Sequence, residues 1–388
     1  MENKKLIYIS PHYPHNFANF VIQAKQVGIT VLGITDCDYN NLSPEVKHCL
    51  SGHYKVNSFH NTWEVFDAVK YFLSIHGNVD FVESNLESWL DLEAIIRVEF
   101  KIPGLTKKDL NKYIKKSEMK KVFDKNSISI VDGELVKDYK HALNFAKKHK
   151  FPVIIKPDRG VGAFDTYKIL NADELCSFFK RREILPDFFF IEPFIEGNIE
   201  TFDGICDFDG KIVYCSSLQY TGTLEMKNGK KSYILLKDIP KDLIEAGKKA
   251  VKGFDVRGKF FHIEFFRTKD NVLYGLEINL RPPGGFTTDM INFAGDIDIY
   301  REWANIIQYN KFFNTSERKY NMGFCAREDW ITYKVSNHDL FAKYGENIIF
   351  SDRIPEAFAP LMGNQAYLIR AENLDDIYKI FDVICESV

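Results

Sequence analysis

Between positions 262 and 285 the chain reads HIEFFRTKDNVLYGLEINLRPPGG, and its oxygen-bearing side chains are spaced for one face of a hairpin. Residues 260–267 and 272–280 are rich in aromatic and β-branched types, and Thr-Lys-Asp-Asn between them is turn chemistry. With 268–271 as the loop, Arg267 stands opposite Val272 and Glu264 opposite Gly275. Side chains alternate faces along a strand, so Glu264, Glu277 and Asn279 then share a face. Glu264 and Glu277 become diagonal neighbours, roughly 7–8 Å apart at the backbone. Two carboxylates and an amide oxygen make a hard oxygen set that suits Mg²⁺. Arg281 continues the alternation, and Pro282 and Pro283 end the strand before Gly284 and Gly285. The plain alternative is a surface hairpin with solvated acids, but such hairpins seldom pair acids with a following Asn-x-Arg-Pro-Pro-Gly-Gly.

A second set of groups suits an anion. Residues 151–156, FPVIIK, read as a buried strand ending in Lys156, and Asp-Arg-Gly-Val-Gly-Ala follows the next proline. Gly160 and Gly162 let backbone N–H groups approach a phosphate, and Lys156 adds a point charge. Alone, K-P-x-x-G-x-G is as consistent with a simple turn. A strand over 188–192 ends in Glu192-Pro193-Phe194-Ile195, a backbone edge able to offer N–H and C=O groups to a flat base. No G-x-x-x-x-G-K-[ST] occurs, which excludes a P-loop. No Ser/His/Asp or Cys/His nucleophilic set is recognisable. His262 beside Glu264 reads either as a helper for amine deprotonation or as a hydrogen-bonded strand histidine.

The elements that must position these groups alternate in type. Strands are expected at 6–10, 30–34 and 79–82. Helices are expected at 16–27 before Gly28, from a Thr62 cap to 75 before Gly77, and at 86–100 behind Ser84 or Asn85. This predicts a parallel α/β unit over 1–103. The turn after its first strand, PHYPHN, lacks glycine, so no dinucleotide site is expected there. Its strand ends, with Ser10, Asp36 and Glu83, either face a substrate or belong to a structural wing. Downstream, helices are expected at 106–124, 138–150, 171–182, 240–252 with Gly253 as the stop, 296–308, 337–344 and 374–384. A hairpin is expected over 201–207 and 211–219. The stripe Ile377, Ile380, Phe381, Ile384 has helical spacing and reads as core. Arg327 reads as a substrate-carboxylate holder or as a structural contact.

At 388 residues the chain has room for two or three domains. A net charge of -3 gives no reason to expect nucleic acid or a membrane surface as partner. Seven scattered cysteines with no CxxC pair fit a reducing compartment. MENKKLIYIS has no apolar stretch of signal-peptide type, and no apolar run approaches a membrane span, so cytoplasm is the expected location.

Taken in order, FPVIIKPDRGVGA, FIEPFIEG, HIEFF and LEINLRPPGG resemble the ATP-grasp superfamily, and within it the carboxylate–amine ligases that include D-alanine–D-alanine ligase and L-amino acid ligases. The resemblance covers roughly 104–310. It implies an α/β (α+β) fold with a Rossmann-like pre-ATP-grasp domain over 1–103. A linker helix and the small ATP-grasp subdomain would follow over 104–190, and the large subdomain with a C-terminal extension over 191–388. It also implies roles. Lys116 matches the first ATP lysine, with Lys115 and Lys120 as rivals, eleven residues before Ser127, where the family's Gly-Ile-Pro is Ser-Ile-Ser here. Lys156 matches the second lysine, and Gly160, Gly162 and Ala163 the phosphate loop. Glu192, Pro193, Phe194 and Ile195 match the adenine hinge. Glu200 matches the ribose acid, with Glu196 as rival because the family's Gly-x-Glu is one residue longer here. Glu264, Glu277 and Asn279 match the Mg²⁺ ligands, Arg281 the arginine over the transferred phosphoryl group, and Gly284 and Gly285 the turn near an acyl phosphate.

The implied cofactors are ATP and Mg²⁺, two ions, with Mn²⁺ as a stand-in. The implied activity joins a small carboxylate to an amine through an acyl phosphate, releasing ADP and phosphate. The alternatives are a non-amine acceptor (a kinase or thiol ligase) and a nucleotide-binding module without catalysis. Partners are expected to be small molecules, with a homodimer left open.

Overall fold

A computed structural model of the chain describes residues 3–160, 165–181, 188–220 and 231–388. Gly162 and Ala163 of the expected phosphate loop therefore lie outside the described residues.

The strands β1 (Lys5–Ile9), β2 (Thr30–Thr35), β3 (Leu50–Lys55) and β4 (Phe81–Glu83) form a parallel sheet in the order β3-β2-β1-β4. Leu6, Ile7, Tyr8 and Ile9 are all fully buried, as a parallel strand covered on both faces requires. The chain runs outward through β2 and β3, then returns to the other side of β1 as β4. Helices Ala18–Gln26, Thr62–His76 and Leu90–Phe100 stand close to the expected positions. Thr62 is the first residue of its helix rather than the cap. Asn61 holds the cap position, and Glu64 reaches back to accept the Asn57 N–H at 2.6 Å. Helix Pro44–Cys49 and β3 were not anticipated, because LSGHYK is half-exposed and carries no apolar run.

A second, antiparallel sheet follows from β5 (Glu134–Val136), β6 (Val153–Pro157), β7 (Tyr167–Ile169) and β8 (Phe189–Pro193), in the order β5-β8-β6-β7. Helices Tyr139–His149 and Ala172–Lys180 cover it, capped by Asp138 and Asn171 as their sequences indicate. The lysine-rich stretch before this sheet is two helices, Lys107–Ile114 and Lys116–Lys125, not one. Lys115 between them is extended and bridges Arg159, while the Lys116 N–H donates to Asp158 O at 2.8 Å. That break docks the second helix on the loop after β6.

The third sheet takes β9 (Gly197–Cys206), β10 (Ile212–Ser216), β11 (Leu218–Tyr220), β12 (Ser232–Leu235), β13 (Phe260–Thr268), β14 (Leu273–Asn279), β15 (Asn321–Arg327), β16 (Ile348–Arg353) and β17 (Gln365–Ala371). Its order is β14-β13-β9-β11-β12-β15-β17-β16, with β10 on β9. Helix Lys241–Phe254 runs through Gly253 and stops at Asp255, whose φ is 54°. The helix expected over 296–308 is Ile299–Tyr309, capped by Asp298, and a helix that was not anticipated, Thr287–Gly295, precedes it. Helices Asn337–Tyr344 and Leu374–Cys385 stand where expected, with Ile377, Ile380, Phe381 and Ile384 buried against Cys325, Tyr367 and Ile369.

Four buried charges tie the first sheet to the third. Arg97 Nη2 lies 3.2 Å from Glu83 Oε1 and 2.8 Å from Glu93 Oε2. Lys259, one residue before β13, pairs with Glu83 and lies 3.1 Å from Glu93. Two acids and two bases cancel here, which is what makes burial of all four tolerable. Glu83 is therefore consumed by structure and does not face a substrate.

Candidate active site

The β13–β14 hairpin carries the acids, but in a different register from the expected one. Its turn places Arg267 opposite Leu273, one residue off. A bulge at Leu276 then shifts the pairing again, so that Glu264 faces Glu277 directly and His262 faces Asn279. One slip would have put the acids on opposite faces; two restore the alternation and bring Glu264 and Glu277 closer than the diagonal reading did. Gly275 sits at this bend because Phe123 packs where a side chain would begin, with a ring atom 2.8 Å from an added Cβ.

Glu277 Oε2 lies 3.7 Å from Lys116 Nζ, which also donates to Gly160 O at 2.9 Å. Lys116 therefore connects the hairpin to the start of the glycine loop. Burial and the neighbouring Glu264 carboxylate push the Glu277 carboxyl above its ordinary range, against the pull of Lys116 and Lys156. Burial pushes Glu264 upward, but the hydrogen bond from His262, the imidazolium charge and the charges of Arg281 and Lys116 together hold it low. His262 is buried with both ring nitrogens on carboxylates: Nδ1 is 2.6 Å from Asp203 Oδ1 and Nε2 is 3.3 Å from Glu264 Oε1. Burial opposes its charge, yet Asp203 and Glu264 raise its pKa to about 9. A doubly paired imidazolium has no lone pair to accept a proton, so His262 orients Glu264 rather than serving as a base.

Asn279 and Arg281 meet Glu87, which in sequence reads as a substrate contact or an ordinary cap. Turned with its nitrogen towards the first domain, the Asn279 amide donates to Glu87 Oε2 at 2.6 Å and Oε1 at 3.0 Å. Its oxygen then stands 3.5 Å from Glu277 Oε1. Arg281 Nε donates to the same Glu87 carboxylate at 3.4 Å, and Nη1 to Pro282 O at 3.0 Å. Glu87 is nearly buried, and burial raises its pKa despite the guanidinium. Its signal in sequence was only that of an acid at a helix start, the same as an ordinary cap.

The donors Glu264, Glu277 and the Asn279 oxygen fit a hard divalent cation. Among the described residues no group of three or more His, Cys, Asp and Glu side chains could hold a metal alone. A Mg²⁺ here would complete its shell with phosphate and water oxygens, as this ion ordinarily does.

At the far end of the cleft Glu192 is buried between Lys156, in close contact with its Oε1, and Lys120, 2.9 Å from Oε2. Burial alone would raise its pKa; the two ammonium groups lower it to about 2. Burial in turn lowers Lys120. Of the three candidate lysines, Lys116 and Lys120 are buried in this cleft and Lys115 serves the helix break. In the hinge, the Phe194 N–H bonds Pro152 O, while the Ile195 N–H has no partner among the described residues. Glu200 does not join the acids. It pairs opposite Phe265, on the face of the sheet away from Glu264, where Arg267 Nε donates to both its oxygens at 2.9 Å. Glu196 is exposed and bound to Lys269 at 2.7 Å.

Gly284 and Gly285 form the turn into helix Thr287–Gly295, and among the described residues their N–H groups have no partner. Gly285 has φ 64°, and a Cβ there would stand 2.8 Å from the Tyr233 hydroxyl oxygen, so the turn needs glycine twice over. Asn16 of the first domain donates to Gly285 O at 3.1 Å. Arg327 has structural partners, Nε donating to Ile384 O at 2.8 Å and Nη1 to Asn337 Oδ1 at 3.0 Å, while its buried Nη2 has no partner among the described residues.

Sheets, hairpin acids and glycine turn together resemble the ATP-grasp arrangement. Residues 115–282 match the family described as carbamoyl-phosphate synthase L chain, ATP binding domain. The chain is 26% identical over 242 residues to an L-arginine-specific L-amino acid ligase of Bacillus subtilis, covering 60% of this chain and 59% of that protein. It thus spans about three fifths of that relative's length. The solved L-amino acid ligase from Bacillus licheniformis superposes over 100% of this chain and 99% of its own, with TM-score 0.74 and 14% identity. The biotin carboxylase domain of Hydrogenobacter thermophilus 2-oxoglutarate carboxylase, solved with MgADP and bicarbonate, covers 98% of this chain and 89% of its own, with TM-score 0.72 and 16% identity. Over residues 115–282 the chain resembles an ATP-grasp ATP-binding domain, its fold is that of solved ATP-grasp ligases, and it is similar to their carboxylate–amine ligases.

Proposed function

We propose that the protein is an ATP- and Mg²⁺-dependent ligase that joins a small carboxylate, an amino acid or a compound of that size, to an amine. The observation that carries this reading is the direct pairing of Glu264 with Glu277, with Lys116 on one side and Arg281 and the glycine turn on the other. A carboxylate is a poor electrophile in water. Moving the γ-phosphoryl group of ATP onto it gives an acyl phosphate, which an amine attacks with loss of phosphate. Catalysis is then chiefly alignment and charge neutralisation.

The chain's own groups divide that work. Lys116 and Lys156 hold phosphate oxygens, and Lys156 leaves its present pair with Glu192 to do so. Pro193, Phe194 and Ile195 lay the adenine on a backbone edge, with Gly160, Gly162 and Ala163 over the phosphates. Arg281 neutralises the group in transfer, and the N–H groups of Gly284 and Gly285 face the acyl phosphate. Mg²⁺ held by Glu264, Glu277 and Asn279, as one ion or two, would supply Lewis-acid charge stabilisation. Glu264 is kept ionised for that role by His262. Glu200, on the opposite face, is better suited to structure than to the ribose, which turns the ribose role towards Glu196.

The location we propose is the cytoplasm; no helix among the described residues is long and apolar enough to cross a membrane. Similarity to the L-amino acid ligase of Bacillus subtilis favours an amino acid as one substrate. A panel of acids and amines scored for ADP release and for a new amide mass tests the proposal. ADP without an amide would point to another acceptor. Tight ATP binding with no turnover on any pair would point to a binding module.

A further inference from the structure

The first domain holds a cavity of about 400 Å³ that none of these roles uses. It opens where β1 and β4 part, at the carboxyl ends of the parallel strands. There the chain direction across the sheet reverses, and open α/β sheets bind ligands in the crevice at such a point. Ser10, closing β1, and Asn85, following β4, both have φ 58°, a conformation that L-residues seldom adopt and that gathers at ligand sites.

The lining has a definite chemistry. Asp36 is its only formally charged side chain apart from His12, whose Nε2 lies 3.1 Å from Asp36 Oδ1. Burial lowers the His12 pKa, against the pull of Asp36, so the pair carries a net negative charge. Asp38, the next acid along, is already paired with Lys55 at 2.8 Å and does not line the cavity. The walls are aromatic: Phe59 and Trp89 pack with ring centroids 5.0 Å apart, and Tyr13 at the rim stacks on Phe358 at 5.6 Å. A carboxylate among aromatic faces recognises a cation on an apolar stem.

The cavity also adjoins the transfer centre. Leu86, Ser88 and Trp89 line it, while Glu87 between them turns the other way to Arg281 and Asn279. On the opposite rim, Tyr13 is three residues from Asn16, which holds Gly285 O. A molecule with its carboxylate or amine at the glycine turn could reach the cavity with its side chain.

We infer that this cavity takes the side chain of one amino acid substrate, and that Asp36, between aromatic walls, selects a side chain ending in a cation. The inference rests on the ligase reading for what happens next, but not for binding. The test is calorimetric titration of the full chain with L-arginine, L-lysine, L-norleucine and L-glutamate, with and without a non-hydrolysable ATP analogue. At least one cationic amino acid should bind about ten-fold or more tighter than norleucine. Asp36→Asn should bring the two within about two-fold, Asp36→Glu should keep much of the preference, and the ATP analogue should bind all three proteins alike. No cationic preference under either condition, or a preference that survives Asp36→Asn, overturns the inference. If the preference holds but no acid–amine pair releases ADP, the ligase reading fails and the site stands. If ligation proceeds without the preference, the site fails and the ligase reading stands.

Discussion

Glu87 Oε2 lies 3.4 Å from Arg281 Nε, across 194 positions of sequence, from the helical turn after β4 to the segment after β14. The same carboxylate takes the Asn279 amide. One acid of the first domain thus contacts both the guanidinium that we assign to the phosphoryl group and the amide that we assign to the metal. Side chains at a reacting centre act only when their own rotamers are held, and partners outside a metal's ligands commonly do the holding.

Glu87→Gln should therefore lower turnover by about 10–100-fold and raise the Mg²⁺ concentration needed for half-maximal rate. Glu87→Asp should recover part of the loss. ADP release against Mg²⁺ concentration reads both effects. Rates near wild type with an unchanged Mg²⁺ requirement would remove Glu87 from the machinery.

Glu277→Ala should abolish Mg²⁺-dependent turnover while leaving the circular dichroism spectrum intact. Arg281→Ala should cut kcat by about 10²–10³-fold and ATP affinity far less, since its charge matters most as the phosphoryl group moves. The opposite split would make Arg281 a binding residue.

Glu192 makes stability depend on acid. Its folded pKa, about 2, lies below the ordinary 4.5. Its contribution is therefore complete above about pH 4.5 and is lost as the pH falls towards 2. That span corresponds to about 3 kcal/mol. Urea midpoints at pH 7 and pH 3 should drop more steeply for the wild type than for Glu192→Gln, which should be weaker at pH 7 because Lys120 and Lys156 lose their partner. Parallel losses would show that Glu192 is not the group responsible.

Glu200 and Glu196 can be separated by what each variant damages. Glu200→Gln should lower Tm by a few degrees, as about 1–3 kcal/mol of charge-assisted bonding to Arg267 is weakened, with ATP affinity nearly kept. Glu196→Gln should do the reverse. ATP affinity lost in Glu200→Gln without a fall in Tm would return the ribose to Glu200.

The hairpin shows what a sequence carries and what it withholds. Alternation and turn residues located β13 and β14 and put Glu264, Glu277 and Asn279 on one face. The turn's true length and the bulge at Leu276 were not legible; the bulge lies beside Gly275, where Phe123 from a distant helix packs. Capped helices such as Tyr139–His149 announced themselves through Asp138. The half-exposed β3 did not, having no periodic apolar signal. Lys115, Lys116 and Lys120 stayed ambiguous in sequence since all are lysines of one stretch; the helix break takes up Lys115, while Lys116 and Lys120, one turn apart on the same helix, turn to Glu277 and Glu192. Glu87 and the Asp36 cavity depend on contacts between distant segments, and no local pattern encodes those.

The cluster of Glu83, Glu93, Arg97 and Lys259 has a consequence for anyone dissecting this chain. Cutting between the first and third sheets would leave two carboxylates and one guanidinium on one fragment, and a lone ammonium on the other. Each would be an uncompensated charge on newly bared apolar surface. The first hundred residues are thus a poor cassette: swapping them between related chains to change substrate choice should succeed only when the recipient brings its own Lys259.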